Sequence, residues 1–357
     1  MIAHCRTREF WRRRLGLNAI PSSERPGERT GRDIAFLLFP KFSMMAFTCA
    51  VEPLRVANHL MGRPYYRWST VSAQTGIVMA SNGMTLVTDH RLGDLPSPGM
   101  LILCAGFDPG ETFDDAMAVP LRRFDRQGTI LGAIDSGSLL LARTGLLDGH
   151  AATTHWECLD SLAEQFPRIE VQPSIFVIDR RRLTCAGGTA ALDMMLHLIR
   201  IDLGHRVAVA VSEQFIHPAI RDAHSSQRAE VPRRLGLQHA KLAAAVQMME
   251  QNLEEPLSLN TVADRAGLSL RQMERLFHAG LGQSPTSYYL WLRVERARSL
   301  VLYSTQPLSE IAVACGFGSY EGFSRTYRRH AGASPSKDRA TARLQPAVAA
   351  TTLTMRA

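Results

Sequence analysis

Two stretches near the C-terminus share one pattern: ADRAGLSLRQMERLFHAGLGQSP at 263–285 and AVACGFGSYEGFSRTYRRHAGASP at 312–335. Ala263 matches Ala312 and Gly267 matches Gly316; after a one-residue insertion Met273 matches Phe323, Arg275 matches Arg325, Phe277 matches Tyr327 and Pro285 matches Pro335. A chain that repeats a segment this closely builds one supersecondary unit twice. In the first copy a helix over 259–265, a tight turn at Ala266-Gly267-Leu268 and a helix over 269–279 give the helix-turn-helix plan. A further helix is expected before it, in LAAAVQMMEQNLEEP from residue 242.

Helical spacing separates the faces of the second helix in each copy. Met273, Leu276 and Phe277 stand at i, i+3 and i+4 and face a core, which turns Arg271, Gln272, Arg275 and His278 outward. Phe323 and Tyr327 do the same in the second copy and leave Glu321, Ser324, Arg325 and Arg328 outside. Arginine pairs with guanine, glutamine with adenine and serine with either, while any of them can grip phosphate. Ser269, Ser319 and Tyr320, at the helix starts, complete the expected DNA-binding set. Between the copies, 286–303 reads as one helix of roughly 18 residues, ~27 Å long. Its apolar face braces both halves, with Arg293, Arg296 and Arg298 largely outside. Such a spacer suits two recognition helices in successive major grooves, whose centres lie ~34 Å apart.

Charge supports a polyanion as partner for this end. The net +8 divides into +5 over 1–32, −4 over 33–220 and +7 over 221–357. Over 241–337, and most strongly in LSEIAVACGFGSYEGFSRTYRRHAGASP, the chain resembles the AraC/XylS family of transcriptional regulators. The resemblance implies a tandem helix-turn-helix domain that binds a double-stranded promoter operator.

The preceding half alternates short apolar runs (34–39, 68–73, 100–104, 129–134) with helical ones (44–60, 114–126, 138–144, 156–166, 190–203). That order predicts a mostly parallel sheet covered on both faces. The segment 174–188 reads as a hairpin around the basic turn 179–182, and 217–240, polar with two prolines, reads as the interdomain linker. Residues 1–32 are expected to be a basic, disordered extension, and 338–357 a disordered tail.

No apolar run approaches the ~18 residues of a membrane span, and the N-terminus lacks the apolar core of a secretory signal. The six cysteines (Cys5, Cys49, Cys104, Cys158, Cys185, Cys315) form no C-x-x-C pair, and no histidine cluster has zinc spacing. A reducing, cytoplasmic setting with neither metal nor cofactor is expected.

In GAIDSGSLLLARTGLLDG, 132–149, an apolar strand stops at Asp135-Ser136-Gly137 and a helix follows at once, the arrangement with which many α/β enzymes expose a nucleophile. With HAATTHW at 150–156, this segment is similar to the PfpI-like, class I glutamine amidotransferase-like domain fused ahead of AraC modules in GlxA-type regulators. The resemblance spans about 33–216 and implies a flavodoxin-like α/β sandwich. Enzymes of that fold carry a cysteine nucleophile at the bend; here the matching residue is Asp135. His155 matches the histidine region and Glu52 is aligned with the helix carboxylate. Ser136 has no Gly-x-Ser-x-Gly frame.

The helix N-terminus is expected to hold Asp135 ionised, and the faces of Trp156 and Phe107 to surround a cation. IDSGS followed by TTHWE looks most like the regulators of glycine betaine, carnitine or related amine catabolism, which implies a small amine, quaternary ammonium or amino-acid-like effector. Glu52, Phe107, Asp135, Ser136, His155 and Trp156 form the expected effector site of an activator that works as a homodimer with RNA polymerase. Plainer roles stand beside these: Asp135 as a helix cap, Glu52 paired with Arg55, His155 as a structural histidine, Trp156 and Phe107 as core. The competing functions are an amidase or hydratase using Ser136, His155 and Glu52, and a constitutive DNA binder whose first domain only dimerises.

Overall fold

The computed structural model describes residues 31–74, 76–106 and 113–344. The chain divides between Gln227 and Arg228 into two units.

The first unit is built on a seven-stranded sheet, ordered β10-β11-β7-β6-β1-β2-β5. Its strands are β1 (Arg32–Leu38), β2 (Tyr66–Ser72), β5 (His90–Arg91), β6 (Met100–Cys104), β7 (Ile130–Ile134), β10 (Phe176–Asp179) and β11 (Arg182–Cys185). Every neighbouring pair is parallel except β10 and β11. Central strands bury both faces, so β1 and β6 read as unbroken apolar runs, IAFLL and MLILC. The hairpin expected at 174–188 is present, and it adds to the main sheet because β11 runs parallel to β7. Two small sheets have no clear sequence signal: β3 (Ile77–Met79) with β4 (Thr85–Val87), and β8 (Ala151–Ala152) with β9 (Glu170–Val171).

Among the described residues six α-helices accompany the strands: α1 (Met44–Met61), α2 (Asp115–Arg126), α3 (Gly137–Arg143), α4 (Leu159–Gln165), α5 (Ala190–Leu203) and α6 (His205–Gln214). Ser43 caps α1 by accepting the Ala46 N–H, and Asp114 caps α2 by accepting the Met117 N–H. α1, α5 and α6 pack together, enclosing a core that includes Phe47, Leu54, Met194 and Ile199.

Both ends of this unit differ from the sequence expectation. Arg32, assigned to the extension, opens β1 and ion-pairs with the buried Asp202 at 2.6 Å. Residues 217–227, read as linker, are a strap bonded to the unit: His217 Nε2 and Arg221 both meet the buried Asp193 carboxylate. Polar composition suggested solvent there, but those polar groups serve buried partners.

The described residues of the second unit form helices and the turns between them: α7 (Val231–Leu235), α8 (Ala240–Gln251), α9 (Leu259–Arg265), α10 (Leu270–Leu281), α11 (Pro285–Tyr303), α12 (Leu308–Ala314), α13 (Tyr320–Ala331) and α14 (Pro335–Leu344). It has two cores. Val246, Val262, Met273 and Phe277 centre the first, and Leu300, Ile311, Phe323 and Tyr327 the second. α11 serves both, giving Tyr288 and Tyr289 to one and Val294, Ala297 and Val301 to the other. Its 19 residues span about 28 Å.

α14 corrects the tail expectation, since 338–344 are helical. Small and charged residues hid the helix, yet Ser334-Pro335 repeats the Ser284-Pro285 that opens α11. The repeat therefore runs one helix further than expected. Where Tyr288 meets Phe277 edge to face, Asp338 accepts the Tyr327 hydroxyl at 2.9 Å.

Candidate functional site

The bend after β7 has the strained backbone that an exposed nucleophile requires, but it presents an acid. Asp135 adopts φ 62°, a left-handed conformation that a non-glycine residue seldom takes. Its N–H donates to Cys185 O at 2.9 Å and its carbonyl accepts from Thr154 Oγ1 at 2.9 Å, so both backbone groups are fixed. Close packing helps: a Cβ on Gly137 would come within 2.5 Å of Leu103 O. The Asp135 Oδ1 accepts the Ser136 N–H at 2.9 Å.

Burial dominates the electrostatics and pushes the Asp135 carboxyl up to about 6. His155 and the Ser136 N–H pull it down, and Glu157 pushes it further up. A carboxyl near 6 still carries its charge for the most part at neutral pH, although withdrawal from water opposes that charge and α3 is only seven residues long. A cation beside Asp135 would restore what burial removes.

The other expected effector residues are placed as follows. Ser136 is buried, and its hydroxyl donates to the Gly106 carbonyl. His155 is half-buried, with Nδ1 3.6 Å from Glu157 Oε2 and its ring 5.4 Å from that of Trp156. Trp156 is 39% exposed, so its ring is not core. Glu52 pairs with Arg55 at 2.6 Å within α1, and among the described residues no hydrogen bond or ion pair joins it to Asp135. Its plainer role is the one the structure records. Phe107 lies outside the described residues. Sequence reasoning overlooked Glu157, although it closes the TTHWE run, and Thr154, which holds the elbow carbonyl.

Among the described residues, no thiol near the bend stands ready to replace the missing cysteine. Burial raises the Cys104, Cys158 and Cys185 thiols, Cys185 to about 12, and the Asp135 charge adds to each shift. A separate cavity of about 340 Å³ lies beside the end of β2 and the start of α2, lined by Ala73, Gln74, Leu92, Asp114, Met117 and Arg123 among others. Among the described residues, none of the expected effector side chains lines it.

In the second unit both recognition helices have the expected faces. Met273 and Phe277 are fully buried, while Arg271, Gln272 and Arg275 are exposed; Phe323 and Tyr327 are buried, while Arg325 and Arg328 are exposed. Ser324 is half-buried, and Ser319 and Tyr320 are exposed. Ser269 and Gln272 form a capping box, with Gln272 Oε1 accepting the Ser269 N–H at 2.9 Å. Ser319 caps α13 through the Gly322 N–H alone.

Arg293 corrects the expectation of an outward side chain. Its Nε donates to Cys315 O at 2.8 Å, its second nitrogen to Gly316 O at 2.5 Å, and its guanidinium sits 4.3 Å from the Phe317 ring centre. Lys241 performs the matching task in the first repeat, donating to Gly267 O at 2.7 Å. A cation from the preceding long helix thus closes each helix-turn-helix turn.

Comparison with known proteins agrees with this division. A helix-turn-helix domain family matches residues 262–341 and the DJ-1/PfpI family matches 32–201. The HTH-type transcriptional regulator CdhR of Pseudomonas aeruginosa is 44% identical over 309 residues, 87% of this chain and 92% of that protein. The regulator GbdR of the same species is 42% identical over 88% of this chain and 86% of its own length. GlxA of Rhizobium meliloti is 37% identical over 84% and 93% respectively. With its PfpI-like first unit and two helix-turn-helix repeats, the chain belongs to the GlxA-type, AraC/XylS family of HTH-type transcriptional regulators.

Proposed function

We propose that the first unit is a non-catalytic sensor for a small amine, quaternary ammonium or amino-acid-like zwitterion, and that its occupation controls how the second unit engages promoter DNA. The observation that carries this reading is Asp135 at φ 62°, a half-buried acid where an enzyme of this shape needs a thiolate. An acid in that position attracts a cation and lacks the thiolate with which enzymes of this shape attack. The Ser136 hydroxyl, already donating to a carbonyl, is poorly set to attack a substrate. Trp156 and His155 supply ring faces at the edge of the site, suited to an alkylated nitrogen.

A ligand switches a protein only through different affinity for two of its arrangements. In this reading the regulator is a cytoplasmic homodimer whose subunit spacing matches two operator half-sites, and it activates transcription by contact with RNA polymerase. The test is a thermal-shift panel of choline, glycine betaine, carnitine and arginine on the whole protein. A bound effector raises the melting temperature with occupancy, and Asp135→Ala abolishes the rise. Turnover of any of these amines, lost on Ser136→Ala, would overturn the reading in favour of an enzyme.

A further inference from the structure

We infer that Gln227 is the coupling residue between the elbow and the chain leading to the DNA-binding unit, an inference that rests on the sensing role proposed for Asp135. Gln227 is the last residue of the first unit. Its Nε2 lies 3.0 Å from Thr153 Oγ1, 2.9 Å from Thr154 O and 2.8 Å from Ser174 O. Two of these partners are carbonyls, which only accept, so the amide nitrogen and not its oxygen must face them. That orientation leaves Gln227 Oε1 buried with no hydrogen-bond partner.

The dock is consequently strained by its own chemistry. A nitrogen with two hydrogens serves three acceptors, while the buried oxygen serves none. Such a contact is easily shifted by a small movement of its partners. Those partners adjoin the elbow: Thr154 Oγ1 donates to the Asp135 carbonyl, and His155 is the next residue. A ligand that draws on Asp135 and His155 moves the carbonyl to which Gln227 is bonded.

The rest of the strap shows what such a movement would release. Its upstream end is anchored away from this cluster, by His217 and Arg221 on the buried Asp193. Downstream, the strap is held by Ile175 N–H to Ala223 O at 3.1 Å, by the Ser174 and Ser226 bridge, and by the Gln227 amide. Loss of the amide contact leaves 222–227 to the Ala223 and Ser226 backbone contacts and makes that end easier to lift than 217–221; when it lifts, the free chain entering the second unit is longer and its reach changes. Gln227 is thus a positioning residue, with no contact to the effector itself.

The experiment is hydrogen exchange on the full chain without ligand, comparing wild type, Gln227→Glu, Asp135→Asn and the double variant. Gln227→Ala repeats the test should the added charge disturb folding. The expected result is exchange at Ile175 and 222–227 at least tenfold faster in either Gln227 variant. Asp135→Asn changes the same rates threefold or more in the wild-type background and leaves them unchanged once Gln227 is replaced. Rates that ignore Asp135→Asn, or that respond to it equally with and without Gln227, overturn the coupling. Choline, added as a probe, answers the separate question: if Asp135→Asn shifts the strap but choline binds nowhere, the coupling stands and the effector reading falls.

Discussion

Gly187 and Asp135 touch so closely that a Cβ on Gly187 would stand 3.0 Å from the Cβ, Cγ and Oδ2 of Asp135. The glycine that follows β11 therefore forms the wall against which the elbow acid rests. At φ 91°, Gly187 also occupies backbone space that a side chain disfavours.

Gly187→Ala is accordingly expected to destabilise the first unit by about 1–3 kcal/mol through strain and crowding together. Gly188→Ala is the control, since it has positive φ but nothing within 4 Å of the added carbon. Urea unfolding should rank Gly187→Ala clearly below Gly188→Ala, and only the former should displace the carboxylate enough to weaken cation binding.

The raised pKa of Asp135 fixes a direction for pH. Its carboxyl moves from 3.8 to about 6 on folding, so the folded state holds the proton more tightly than the unfolded chain does. The resulting stabilisation is full below pH 4 and is lost as pH rises through 6, a difference of at most about 3 kcal/mol at about 1.4 kcal/mol per unit. Asp135→Asn should therefore raise the melting temperature at pH 8 and leave it nearly unchanged at pH 4. Cation affinity runs the other way, falling as the wild-type acid is protonated below pH 6, and melts and titrations across that range check both.

Replacing Arg293 by methionine removes the clamp on Cys315 O and Gly316 O. The expected loss is about 2 kcal/mol, because two carbonyls give up a charged donor. Lysine should recover only part of it, since one ammonium cannot reproduce a forked guanidinium that also stacks on Phe317. Footprinting should show the DNA segment read by α13 weakened more than that read by α10.

Arg275 and Arg325 occupy matching positions on the exposed faces of α10 and α13. Alanine at either should cost about 1–3 kcal/mol of specific DNA binding and relax the base preference of one segment only. Equal effects of both substitutions on the same base pairs would argue against two independent reading heads.

Much of this architecture could be read before any coordinates, because repetition and periodicity are local properties. The Met273/Phe277 and Phe323/Tyr327 stripes locate both recognition helices, and the run into Asp135 gives the elbow. What stayed hidden depended on tertiary neighbours. Sequence could not decide whether Glu52 turns to the elbow or to Arg55, or whether Arg293 meets water or the carbonyls of a turn 22 residues away. Nor could it show how far Asp135 is withdrawn from water, which is what pushes its carboxyl up. The strap at 217–227 resembled a linker because its polar side chains gave no sign of their buried partners, Asp193 and the Thr153, Thr154 and Ser174 cluster.

The most direct measurement is promoter-DNA affinity of the whole protein, titrated with whichever amine of the panel stabilises it, in wild type and Asp135→Asn side by side. The account predicts a ligand-dependent change of about fivefold or more in wild type and none in the variant, whose unliganded DNA affinity stays within about twofold. An equal ligand response in both proteins would contradict the assignment of Asp135 as the sensing residue.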